Sequence, residues 1–100
     1  MKLYSIAHSR TGDKGNISTI SVIAYSEIEY SIIKEQIPAE RVLDHFRHLG
    51  CSAVERYELD TLGALNFVLH GTLGGGVTRS LALDTHGKSL SGWMLELELS

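Results

Sequence analysis

The chain has 100 residues, 43% apolar and 21% charged, with a net charge of −3. That is one globular domain's worth of sequence: too apolar for disorder, and with nine scattered basic residues not a nucleic-acid binder by charge. No apolar run reaches the ~20 residues of a membrane span, and the lone Cys51 leaves no internal disulfide and fits a reducing, cytoplasmic setting.

A domain of this size buries only roughly two thirds of the surface of its unfolded chain. Remaining apolar area is therefore expected to be covered in a homo-oligomer or by a partner protein. The N-terminal residues enter a strand pattern at once instead of a signal-peptide core. Lys2 to Ser9 alternates, with Tyr4, Ile6 and His8 on one face and Leu3, Ser5 and Ala7 on the other. A polar loop over residues 8–16 is expected next, with Gly12 and Gly15 allowing positive φ. Ile17 to Tyr25 is rich in β-branched and aromatic residues on both faces and reads as a central strand.

Ser26 followed three residues on by Glu29 is a capping-box pattern, with Tyr25 and Tyr30 placed as a hydrophobic staple. The helix it opens runs to about Gln36, with Ile28, Ile32 and Ile33 inward. Pro38 suits the first turn of a second helix, Ala39 to Leu49, whose Val42, Phe46 and Leu49 recur at helical spacing. Gly50 stops it. Ala53 to Asp60 and Ala64 to His70 read as strands around the turn Thr61-Leu62-Gly63, with Leu65, Phe67 and Leu69 on one face. Val77 to Leu83 fits a helix opened by the glycines or a strand. Residues 84–88 form a turn by composition. The alternation of Trp93, Leu95, Leu97 and Leu99 favours a final strand, with a short helix capped by Ser89 as the other option. Setting the first strand aside, the order is the split β-α-β-β-α-β pattern of ferredoxin-like folds. The expected architecture is an α+β sandwich, one antiparallel sheet with helices on one face, over a single domain 1–100.

Two segments concentrate polar groups. Arg10 and Lys14, with backbone amides near Gly12 and Gly15, suit an anion, and Asp13 and Asn16 add hydrogen-bonding capacity. The same residues also fit a surface loop in which Asp13 pairs with Lys14 or Arg10. Gly74, Gly75 and Gly76, followed by Arg79 and Ser80, offer free N–H groups if a helix begins there, or a turn if not. His8 and His70 each end a strand, and either suits proton transfer near neutral pH or a merely half-buried structural role. Asn66 shares a strand face with His70 and suits a substrate carbonyl. No His, Cys, Asp or Glu set has zinc-ligand spacing.

The segments Arg10-Thr-Gly-Asp-Lys-Gly15, Pro38-Ala-Glu-Arg-Val42, Leu62-Gly-Ala-Leu-Asn-Phe-Val-Leu-His-Gly71 and Leu73-Gly-Gly-Gly-Val-Thr-Arg-Ser-Leu81, with Asp84 and Gly87-Lys88, span nearly the whole chain. Together they resemble the small ferredoxin-fold module of the acyclic terpene utilisation (AtuA) family. Asn16 departs from the family, which often has Asp there. The resemblance implies a module found at the C-terminus of larger proteins or as a separate chain, in bacterial catabolism of branched acyl-CoA compounds. The leading expectation is an accessory subunit or ligand-binding module associated with a larger AtuA-like protein. It needs no cofactor, and a CoA thioester is a possible ligand. The alternative is a stand-alone hydratase or lyase on an unsaturated acyl-CoA thioester. There His8 or His70 would move the proton, and Asn66 or the glycine amides would stabilise the enolate. Arg10, Lys14 or Arg79 would hold phosphate or carboxylate.

Overall fold

In this computed structural model, which describes residues 1–14, 17–71 and 90–100, two hairpins merge into one antiparallel sheet. β1 (Ala7–Lys14) pairs with β2 (Ile17–Ala24), and β3 (Cys51–Leu59) pairs with β4 (Ala64–Gly71). Pairing of β2 with β4 joins them in the order β1-β2-β4-β3. α1 (Glu27–Gln36) and α2 (Ala39–Phe46) carry the chain from β2 to β3, and β4 inserts between those two strands. This is the split β-α-β arrangement expected from the sequence, with β1 as the fourth strand beside β2.

The expected final strand over Trp93 to Leu99 is replaced by α3 (Leu90–Met94) and an extended tail. The free side of β2 is already taken by β1. Leu90 and Met94, four apart, instead bury one side of a short helix, and Leu97 and Leu99 are buried after it. The tail pairs with the N-terminus. Leu3 N donates to Leu97 O at 2.8 Å, Tyr4 N to Leu95 O at 3.1 Å and the Met1 amine to Leu99 O at 2.9 Å. Those bonds take the donors that a strand over residues 2–6 would need, so Leu3–Ser5 forms a 3-10 turn and β1 starts at Ala7.

The expected polar loop over residues 8–16 is largely strand. His8 to Lys14 pairs residue by residue with Ile23 to Ile17. A polar strand is stable here because partner backbone groups, invisible in the sequence, satisfy its ladder.

The described helices all cover one face of the sheet, with α2 over β3, α1 over β2, and α3 over β1 and β2, and the other face is free of helices among the described residues. Between the layers Ile20, Val22, Leu65, Phe67 and Leu69 from the sheet meet Ile33, Ile37, Val42 and Phe46, all fully buried. Half of the capping box forms: Ser26 Oγ accepts from Glu29 N at 3.2 Å, while the Glu29 carboxylate takes the Ser26 hydroxyl at 3.0 Å instead of the Ser26 backbone N–H. The staple does not form, because Tyr25 continues β2 onto the opposite face and is 60% exposed. Helix α1 buries Tyr30 and Ile33, and Ile37 follows four residues on; Ile28 is 77% exposed instead of inward. After α2 a 3-10 turn, Arg47–Leu49, buries Leu49, and Gly50 closes it in a left-handed conformation at φ 102°.

Candidate functional site: the helix-free sheet face

Period-two alternation sends every second side chain of each strand away from the helices. Strand register then sorts these side chains into rows. One row runs Arg10, Ser21, Asn66, Tyr57 across β1, β2, β4 and β3. The next, toward the 60–63 turn, runs His8, Ile23, Ala64, Leu59. On the other side lies Gly12, Thr19, Val68, Glu55, and beyond it Ile17, His70 and Ala53 beside the end of β1.

Two polar clusters stand on this face. Ser21 Oγ donates to Asn66 Oδ1 at 3.0 Å, which leaves the Asn66 amide N–H groups pointing away from that bond. Glu55 receives two partners: Tyr57 OH donates to Oε1 at 2.6 Å, and His70 Nε2 lies 3.1 Å from Oε2. Those bonds, the phenol's first and the imidazole's second, hold the Glu55 carboxyl below the usual carboxylate range. The same bond pushes the Tyr57 phenol up. When His70 donates through Nε2, its Nδ1 is left as an acceptor. His8 stacks on Tyr25 with ring centroids 5.5 Å apart. Between His8 and Arg10 on one side and Leu59 and Leu62 on the other, the face dips into a hollow of about 360 Å³ floored by Ile23 and Ala64. Arg10 has no ion pair among the described residues.

His8, Arg10, Asn66 and His70, singled out from the sequence, all lie on this one face. Arg10 and Asn66 share a row. The histidines do not meet: His8 is opposite Ile23 and His70 opposite Ile17, six positions apart along β2 (23 − 17), or roughly 20 Å. Asp13 and Lys14 are described as the backbone at the end of β1, across from Ser18 and Ile17. Gly15, Asn16, Gly74, Gly75, Gly76, Arg79 and Ser80 lie outside the described residues. Glu55 and Tyr57 escaped the sequence reading. Their alternation with Arg56 and Glu58 marked a shared face, but their meeting with His70 depends on a register shift between Cys51 and Ala53.

Elsewhere, a larger hollow of about 540 Å³ lies between the start of α2 and β3, beside Pro38, Glu40 and Arg56. Its arginine is committed, donating to Lys34 O and Glu58 Oε2 at 2.9 Å each, so that hollow is less suited to an added anion. Burial pushes the Cys51 thiol up, against hydrogen bonds to the backbone at Ala53 and His70, so Cys51 is no thiolate nucleophile. Among the described residues no group of three His, Cys, Asp or Glu side chains could hold a metal, and no helix is long and apolar enough to cross a membrane.

No curated protein and no solved structure is significantly similar to the chain. The profile of one family, the AtuA ferredoxin-like domain, matches residues 1–100. With the four-stranded sheet and its one-sided helices, that match over the whole length shows that the chain belongs to the AtuA ferredoxin-like domain family.

Proposed function

We propose that the chain is a companion module that docks on a larger AtuA-like protein through its helix-free sheet face and completes a ligand site there. The observation that carries this reading is the make-up of that face. Tyr25, Leu62 and Tyr57 are 60%, 69% and 48% exposed around Arg10, His8 and the Glu55–His70 pair. Aromatic and aliphatic groups beside arginine are what a contact surface buries. The setting proposed is cytoplasmic catabolism of branched acyl-CoA compounds of the acyclic terpene type, supported by the family and by a lone, buried cysteine.

The test is co-expression of this chain, affinity-tagged, with a large AtuA-like protein from the same genome. A stable complex of fixed stoichiometry is expected. Two proteins that migrate separately at micromolar concentration overturn the reading.

A stand-alone hydratase or lyase is the second reading, favoured by one observation: Glu55 is in place to orient the His70 ring. The 20 Å separation means that the two histidines cannot serve one reacting atom together, and His70 is the one with a carboxylate partner. Turnover of an unsaturated acyl-CoA by the isolated chain, lost in His70→Gln, would favour it over docking.

A further inference from the structure

We infer that the hollow beside Arg10 is a binding pocket for a small aliphatic carboxylate of about five or six carbons. The inference rests on the reading of the helix-free face as a binding surface and names the ligand class that one part of it takes.

The geometry separates a polar end from an apolar one. Neighbouring strands are about 5 Å apart, so a carboxylate seated over Ser21 has Arg10 on one flank and Asn66 on the other. Asn66 Oδ1 is occupied by the Ser21 hydroxyl, so the oxygen facing this spot is already hydrogen-bonded, and Arg10 is the donor to the head group. Arg10 supplies two parallel donors and a charge that no described side chain neutralises. One row further toward the 60–63 turn the surface changes character. Ile23 and Ala64 form the floor, Leu59 and Leu62 the far wall, and the Tyr25-stacked ring of His8 the near wall. Rows on one face are two residues apart, roughly 7 Å, a distance that a chain of about five carbons spans.

A head of one negative charge and a short apolar tail therefore matches the pocket at both ends. A hollow of about 360 Å³ is at the small end of ligand sites, so a bulky ligand is not accommodated within it. A protein docked on the same face would roof the open side, burying the carboxylate pair and strengthening it.

The experiment is an NMR titration of the isolated, isotope-labelled chain with hexanoate, 1-hexanol and acetate. Saturable shifts are expected from hexanoate at the Arg10 side chain, the Asn66 side-chain amide and the backbone near Ile23 and Ala64. Hexanol, lacking the charge, and acetate, lacking the tail, are each expected to bind at least about tenfold more weakly. Arg10→Gln should weaken hexanoate by about tenfold while leaving the remaining spectrum unchanged, since Arg10 is exposed and unpaired among the described residues. Leu62→Ser, at the far wall, should weaken it by a few-fold without changing the preference for charge. Hexanol binding as tightly as hexanoate, an Arg10→Gln variant that binds normally, or shifts confined to the helical side would each overturn the inference. Because no partner is present in the titration, its failure leaves docking to the co-expression result, and a failed co-expression leaves the pocket to this one.

Discussion

Gly71 closes β4 at the end of the sheet where His70 meets Glu55, and it cannot be replaced cheaply. Its φ is +135°, which side chains rarely adopt. A Cβ built there would lie 2.3 Å from Gly50 O, 3.1 Å from Ser52 N and 3.2 Å from Cys51 Cα, all backbone atoms. Gly63 has φ +62° but open space around its would-be Cβ. The two positions therefore separate conformational strain from overlap. Gly63→Ala should cost about 1–2 kcal/mol, the left-handed penalty alone. Gly71→Ala adds a backbone clash that only a shift of the Gly50–Ser52 segment can relieve, for about 3–5 kcal/mol in total. At roughly 4–8 °C per kcal/mol for a domain of this size, Gly71→Ala should lower Tm by at least ~12 °C and Gly63→Ala by roughly 4–16 °C, with Gly71→Ala always the larger drop. Thermal unfolding followed by circular dichroism measures both. Equal Tm values for the two variants would refute the reasoning, because they would mean that β4 ends with room to spare beside Gly50.

Two further outcomes test the helical side and its rim. His45 stacks on Trp93 at 4.5 Å, lies 2.6 Å from Trp93 O through Nε2, and Trp93 Nε1 donates back to His45 O at 2.9 Å. Burial first, and the cations of His48 and Arg41, lower the His45 pKa against the Trp93 carbonyl and Glu96, which raise it. The unfolded chain then binds the proton more readily, so stability is full above about pH 6.5 and declines as pH falls toward the folded value. The urea midpoint should drop between pH 7.5 and 5.5, and His45→Gln should flatten that slope; an unchanged slope would refute it. Tyr30, pushed up to about 12 by burial and then by its 2.6 Å hydrogen bond to Asp60, contributes stability below pH 10 that is lost as pH rises toward 12. Ultraviolet titration should show one phenol ionising last, earlier in Asp60→Asn by less than the full shift, since burial is the larger cause.

What the sequence made legible was parity; what it hid was pairing. Leu65, Phe67 and Leu69 announced the buried face of β4, and the Val42–Phe46–Leu49 spacing announced α2, because each pattern is local. Polar residues 8–14 read as a loop because their ladder partners are on β2. Ile28 looks inward in the sequence because three isoleucines fit one arc, yet the arc that faces the sheet is Tyr30, Ile33 and Ile37, with a tyrosine as its first member. Trp93 to Leu99 alternate like a strand, but the slot beside β2 was taken by β1, a competition no local pattern records. The same limit applies to the site. His8, Arg10, Asn66 and His70 were visible as residue types, while the Glu55–His70 contact and the 20 Å between the histidines follow from register alone.

Docking through the helix-free face is tested most directly by placing charge on each side of the sheet in turn. Arg10→Glu with Tyr57→Asp alters the open face. Asp44→Lys with Arg47→Glu reverses an exposed ion pair on the far side, at α2. Mixed with a large AtuA-like protein and analysed by light scattering after size exclusion, the unaltered chain and the α2 variant should both enter one complex. The open-face variant should bind at least about 100-fold more weakly. An open-face variant that still assembles, or an α2 variant that alone fails to, would contradict the assignment of that face.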